Sequence, residues 1–119
     1  MKLISPFIRI QQQLRIFHWQ TESYSQHKAF GKAYEALDGL IDAFVEAYIG
    51  KYGKVKAKLT YSIELDNLSD NYITYVNDYI AYLLSLDNEL DASKDSDLLN
   101  IRDEMLTVLN RLKYLLSLS

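Results

Sequence analysis

Two histidines and a pair of carboxylates are the residues of this sequence best suited to chemistry, and the chemistry they suit is metal binding. His18 and His27 are the only histidines, and both fall in the stretch HWQTESYSQH. Imidazole is the commonest side-chain metal ligand near neutral pH. Asp42 and Glu46, spaced i, i+4, share one helical face on which both carboxylates can hold a single cation, and Asp38 extends the row by a turn. Plainer readings stand beside these. A histidine at a helix end, flanked by Trp19 and Phe30, often just bonds a backbone carbonyl, and acidic rows are commonly solvated faces.

The elements that must position these residues are helical. The chain has 119 residues with one proline and four glycines, so little interrupts a helix. Leu3, Phe7, Ile10, Leu14 and Phe17 step by four and three, which predicts a first helix over roughly 3–20 with Pro6 in its first turn. Ser23 or Ser25 then offers an N-cap. A second helix carries His27, Phe30, Tyr34, Leu37, Ile41, Phe44 and Tyr48 and ends near Gly50 and Gly53. From Lys54 to Leu65 the pattern changes: Leu59, Tyr61, Ile63 and Leu65 alternate with polar residues, as an extended, strand-like crossover would. A third helix resumes near Asp66 or Ser69 with Leu68, Tyr72, Tyr75, Tyr79, Leu83 and Leu86 on one face. After a polar break from Asn88 to Asp97, interrupted only by Leu90, a fourth is capped by Asp95 or Ser96. It carries Leu98, Ile101, Met105, Leu109, Leu112 and Leu116. The expected fold is all-α, one domain over residues 1–119: a four-helix bundle of ferritin-like topology with one long crossover between its second and third helices.

That architecture restricts the candidate ligands. From His27 to Asp42 is fifteen residues, about 22 Å along a helix rising ~1.5 Å per residue. Fifteen steps of about 100° leave the two within ~60° of one face. They share a side of the helix but cannot reach one ion within one chain. A site using both needs a second copy packed antiparallel, which ties metal binding to a homo-oligomer.

His18-Trp19, His27, Asp42 and Glu46 together resemble the ferroxidase signature of the Dps mini-ferritins, within the ferritin-like superfamily. The spacing His27-x14-Asp42-x3-Glu46 matches without a gap, and the resemblance covers roughly residues 7–53. It implies an iron site at a twofold interface, with His18 and His27 from one subunit, Asp42 and Glu46 from its neighbour, and Trp19 packed beside them. The sequence departs from that family in four respects, a length shorter than most members among them. Gly31 stands where a carboxylate usually follows the second histidine by four residues, which removes a ligand. The turn between the histidines is about three residues shorter, and no lysine-rich tail precedes the first helix. The HWQT and GKYG stretches are also similar to small uncharacterised proteins of tailed bacteriophages.

Composition excludes other classes. A net charge of −3 argues against a dedicated nucleic-acid binder. Lys51, Lys54, Lys56 and Lys58 form the only basic cluster, and a solvated connection explains it better than DNA binding. Absence of cysteine excludes disulfides, zinc ribbons, iron–sulfur clusters and thiol nucleophiles. There is no nucleophile elbow, phosphate-cradling loop or dinucleotide fingerprint, and the adjacent Asp103 and Glu104 face different ways. No apolar run reaches 18 residues and no signal peptide is evident, so a cytoplasmic protein without a membrane anchor is expected, in a bacterium or a phage-infected host.

Two readings of function follow. One is a Dps-like protein that binds ferrous iron between subunits and can oxidise it. The other is a non-catalytic helical protein of phage origin that binds a protein partner or serves as a structural component, in which Gly31 in place of a ligand marks a lost metal site. A third is a small-ligand-binding oligomer whose tyrosine-rich interior lines the pocket, although for Tyr72, Tyr75, Tyr79 and Tyr82 of the third helix structural packing is the better reading.

Overall fold

Helices form where the apolar stripes predict them. The computed structural model describes residues 2–57 and 59–119. Its helices are α1 (Ile4–Gln20), α2 (Tyr24–Tyr52), α3 (Tyr72–Ser85) and α4 (Ser96–Ser117), with a 3-10 turn at Leu86–Asn88 and no strand among the described residues. Every stripe residue of α1 is buried, and so are Phe30, Leu37, Ile41 and Phe44 of α2. In α4 the stripe is buried apart from half-exposed Ile101, and Arg102 joins it. Burial drives this packing, since a fully covered Leu or Phe gains about 1.5–3 kcal/mol over an exposed one.

The direction of each helix follows from its contacts. Phe7 packs on Phe44 at 5.2 Å between ring centroids and Phe17 on Phe30 at 5.6 Å, so α1 and α2 run antiparallel. Phe7 also meets Tyr82, and Phe17 meets Tyr75, so α3 is antiparallel to α1 and hence parallel to α2. Parallel neighbours need a connection that travels the length of the molecule, which is why the link between α2 and α3 is long. Lys51 at the end of α2 bonds Asp97 at the start of α4, while Ala29 and Ala33 lie across a groove from Leu112 and Leu115. That pair is antiparallel as well.

The caps agree with the sequence except in one respect. Ser23 caps α2 by accepting from the Gln26 amide at 3.3 Å. Gly53 ends the helix with φ 90°, a backbone conformation costly to any residue with a Cβ. Asp95 occupies the N-cap of α4, yet its side chain caps nothing in that helix. It accepts instead from the Tyr52 hydroxyl and from the Asp91 amide at 2.9 Å, and it pairs with Lys51 at 3.2 Å.

The crossover corrects two expectations. Its described residues form neither helix nor strand, and of the alternating residues only Ile63 is half-buried, with Leu59 94% exposed. The third helix begins at Tyr72, later than expected. What anchors the crossover is polar. Gln13, fully buried on α1, donates to the Asp66 carbonyl and accepts from the Asp66 amide, both at 2.8 Å. Two turns on, Gln20 donates to Asn67 at 2.9 Å and accepts from the Leu68 amide at 2.7 Å. Gln13 thus pairs with the backbone of Asp66 as a strand edge would, while Gln20 holds one backbone amide and the Asn67 side chain.

Candidate functional site

The short link between α1 and α2 brings the two histidines into face-to-face contact. Their rings stack with centroids 3.8 Å apart and planes 17° from parallel. His18 Nδ1 lies 2.6 Å from the His27 carbonyl oxygen, and His27 Nδ1 lies 2.8 Å from the His18 carbonyl oxygen. A carbonyl can only accept, so each Nδ1 carries the proton and donates. In a neutral ring the proton on Nδ1 leaves Nε2 with a lone pair, and no hydrogen bond among the described residues uses either Nε2. Imidazoles that bind metals are commonly oriented by such a bond from their other nitrogen, and here that bond is made to the backbone.

The His18 carbonyl belongs to the last turn of α1, where carbonyls lack helical partners. The His27 carbonyl lies in the first turn of α2, and the His18 ring reaches it by lying across Gly31. A Cβ built at Gly31 would stand 2.9 Å from His18 Cε1 and 3.0 Å from Nδ1. Glycine is therefore needed here for close approach, a constraint invisible in the sequence, where Gly31 reads only as a missing carboxylate. Tyr34 closes the other side, its ring 5.2 Å from His18 and itself covered by the Arg15 guanidinium at 4.7 Å. Both histidines are half-buried. Trp19 is 67% exposed and Tyr24 74%, so within one chain Trp19 does not pack against the pair.

Asp42 and Glu46 lie further along α2, exposed and without an ion pair among the described residues. Asp38, in the same row, accepts from the Gln11 amide and is engaged with α1. The structure thus joins His18 to His27 and keeps both apart from Asp42 and Glu46. Among the described residues, no three histidine or acidic side chains come together in a manner that could hold a metal ion. The basic cluster is divided: Lys51 is held by Asp95 and Asp97, Lys54 and Lys56 are exposed, and Lys58 lies outside the described residues.

Residues 18–116 match the family of unknown function DUF5856. The chain belongs to that family. A relative is the uncharacterised 14.6 kDa protein of the mobD-ri intergenic region of Enterobacteria phage T4. It is 31% identical over 102 residues, which cover 85% of this chain and 74% of the phage protein. No solved structure matches. The family match begins at His18 and takes in the whole histidine corner, the acidic pair and the crossover. No helix among the described residues is long and apolar enough to cross a membrane.

Proposed function

We propose that this DUF5856 protein is a ferritin-like, Dps-type bundle that binds ferrous iron between two copies of itself, inside a phage-infected bacterial host. His18 and His27 of one copy and Asp42 and Glu46 of the other would supply the ligands. The observation that carries the reading is the free Nε2 on each half-buried imidazole, left available because both Nδ1 protons are already spent on backbone carbonyls. The helix directions support it too, because ferritin-like bundles are those with one long crossover. The exposed, unpaired carboxylates on the same helix support the sharing between copies.

The donor set fits iron: imidazole nitrogens and hard carboxylate oxygens suit a borderline divalent metal. Iron would bring its own redox chemistry toward peroxide or oxygen. The protein's part is to fix ring orientation through the two Nδ1 bonds and to bring carboxylates from a neighbour. With Gly31 contributing no ligand, positions on the metal stay open.

A second reading rests on a specific observation. The histidine pair already has a structural role as a clasp between α1 and α2, and beside it Trp19 and Tyr24 present an exposed aromatic surface suited to a protein partner. Anaerobic titration of Fe²⁺ into metal-free protein, with mass followed by light scattering, separates the two. Saturable binding by a dimer or larger assembly is expected, and Asp42→Ala with Glu46→Ala should abolish it while the circular dichroism stays helical. Binding that survives the double substitution, or that never occurs, removes the iron reading.

A further inference from the structure

A cleft of about 410 Å³ lies between the first half of α1, the crossover and α3, at the opposite end of α1 from the histidines. Its volume falls at the small end of the range that ligand sites occupy. Arg9, Tyr75, Tyr79, Tyr82, Asp78 and Glu64 line it. The four tyrosines of α3 differ sharply in how their hydroxyls are satisfied. Tyr72 accepts from Gln26, Tyr75 donates to Asp66 at 2.8 Å, and Tyr82 donates to the Lys2 carbonyl at 3.0 Å. Tyr79 is the most buried of them, at 6% exposure, and its hydroxyl has no partner. Arg9 is equally unusual. Its Nε is buried without a partner, and its guanidinium makes no hydrogen bond or ion pair among the described residues.

An unpaired buried hydroxyl costs about 1–3 kcal/mol, so a fold that keeps one beside an unpaired guanidinium calls for an explanation. Both groups donate, and burial holds the Tyr79 phenol well above its ordinary value, so it stays protonated. Two donors demand an acceptor, and a carboxylate meets both. The rim carries the opposite sign, since Asp78 and Glu64 would repel a simple anion and attract an ammonium group.

We propose that this cleft binds a small zwitterion of amino-acid type, its carboxylate on Arg9 and Tyr79, its ammonium group toward Asp78 and Glu64, and its side chain along the Tyr82 ring. The Tyr79 hydroxyl is closed to water, so a side chain of the cleft wall shifts as the carboxylate enters. The site is independent of the iron reading, because it shares no residue with the histidine corner or the acidic pair.

The test uses the full chain and four probes: L-phenylalanine, phenethylamine, 3-phenylpropanoate and inorganic phosphate, followed by calorimetry and amide NMR shifts. L-Phenylalanine should bind and shift amides of α1 and α3 around Arg9 and Tyr79. The two analogues that lack one charged group should bind roughly tenfold weaker or worse, as loss of a charged hydrogen bond requires. Tyr79→Phe should lower affinity for L-phenylalanine by a similar factor while leaving the ligand-free protein at least as stable, because it removes the unpaired hydroxyl. Arg9→Met should also lose binding and stay folded. No binding of L-phenylalanine, equal binding of phosphate, or undiminished binding by Tyr79→Phe would each overturn the assignment.

Discussion

The two ends of α2 are tied to their neighbours by opposite means. At the start of the helix, His18 and His27 exchange neutral ring-to-carbonyl bonds, and a glycine lets one ring lie flat on the backbone. At its far end the tie is ionic. Asp95, 3% exposed, takes bonds from Tyr52, Lys51 and the Asp91 amide, and Lys51 reaches on to Asp97 at 2.8 Å. The charged end is fully spent on structure: its acids and its lysine all face one another. The neutral end keeps something back, one nitrogen on each ring. The cluster of Lys51, Asp95 and Asp97 is therefore structural, and the histidine clasp leaves one ring nitrogen on each side without a hydrogen bond among the described residues.

The sharpest way to break this contrast is to add one methyl group at the neutral end. Gly31→Ala puts a Cβ against the His18 ring, and overpacking of that kind costs about 1–3 kcal/mol, more than the ~1 kcal/mol that alanine gains in a helix. Thermal melts should show a clear loss for Gly31→Ala. Gly39→Ala, where the added methyl meets nothing within 4 Å, should gain stability by roughly 0.5–1 kcal/mol. Equal behaviour of the two variants would mean that the ring is not held against Gly31.

Acid should sharpen the contrast from the other side. The Tyr52 hydroxyl and the Asp91 amide hold Asp95 below the ordinary value of 3.8. The amides of Lys94 and Ser93 do the same for Asp91, as does the Lys51 ammonium for Asp97. Depressed carboxylates stabilise the fold fully above 3.8 and lose that contribution as pH falls through their lowered values. On lowering the pH from about 5 to about 3, amides from Asp91 to Leu99 should lose hydrogen-exchange protection before those of Leu37 to Phe44 in the middle of α2. The reverse order would show that the ionic tie carries little of the stability there.

The smallest effect belongs to Lys51→Met. Its ammonium group is partly exposed and pairs at the surface with Asp97, where such pairs are screened and weak, while buried Asp95 holds other donors besides the lysine. Its melt should be hard to distinguish from the parent chain, with the Asp95 bonds to Tyr52 and Asp91 still in place. A loss rivalling that of Gly31→Ala would move the weight of this end from Asp95 to the lysine.

Much of the fold was legible because burial leaves a periodic trace. The stripe from Leu3 to Phe17 and that from Leu98 to Leu116 point inward nearly residue for residue, and Ser23 and Gly53 bound α2 as their types suggest. Period two misled in the crossover, since Leu59 to Leu65 alternate without a sheet to pack on. Polar residues with tertiary partners left no pattern to read. Gln13 sits in a run of three glutamines in which nothing marks it as the fully buried one, and Arg102 bonds the Leu83 carbonyl and Asp87 from within the core face. At the candidate site, the nearness of His18 to His27 followed from a short turn between antiparallel helices. The use of their Nδ1 atoms and the contact with Gly31 did not, because both depend on ring orientation. Arg9 and Tyr79 were hidden for the same reason: what distinguishes them is a partner they lack.

The glutamine pair on α1 has a consequence for how this chain can vary. Gln13 and Gln20 grip the crossover only at residues 66–68, two helical turns apart, so they act as a fixed registration mark for everything that follows. Upstream of that mark, residues can be gained or lost without moving α3 relative to α1, since the slack is taken up before the grip. Downstream, a single insertion between Leu68 and Tyr72 would rotate the whole aromatic face of α3 away from Phe7, Phe17 and Phe30. Length is free on one side of Asp66 and fixed on the other.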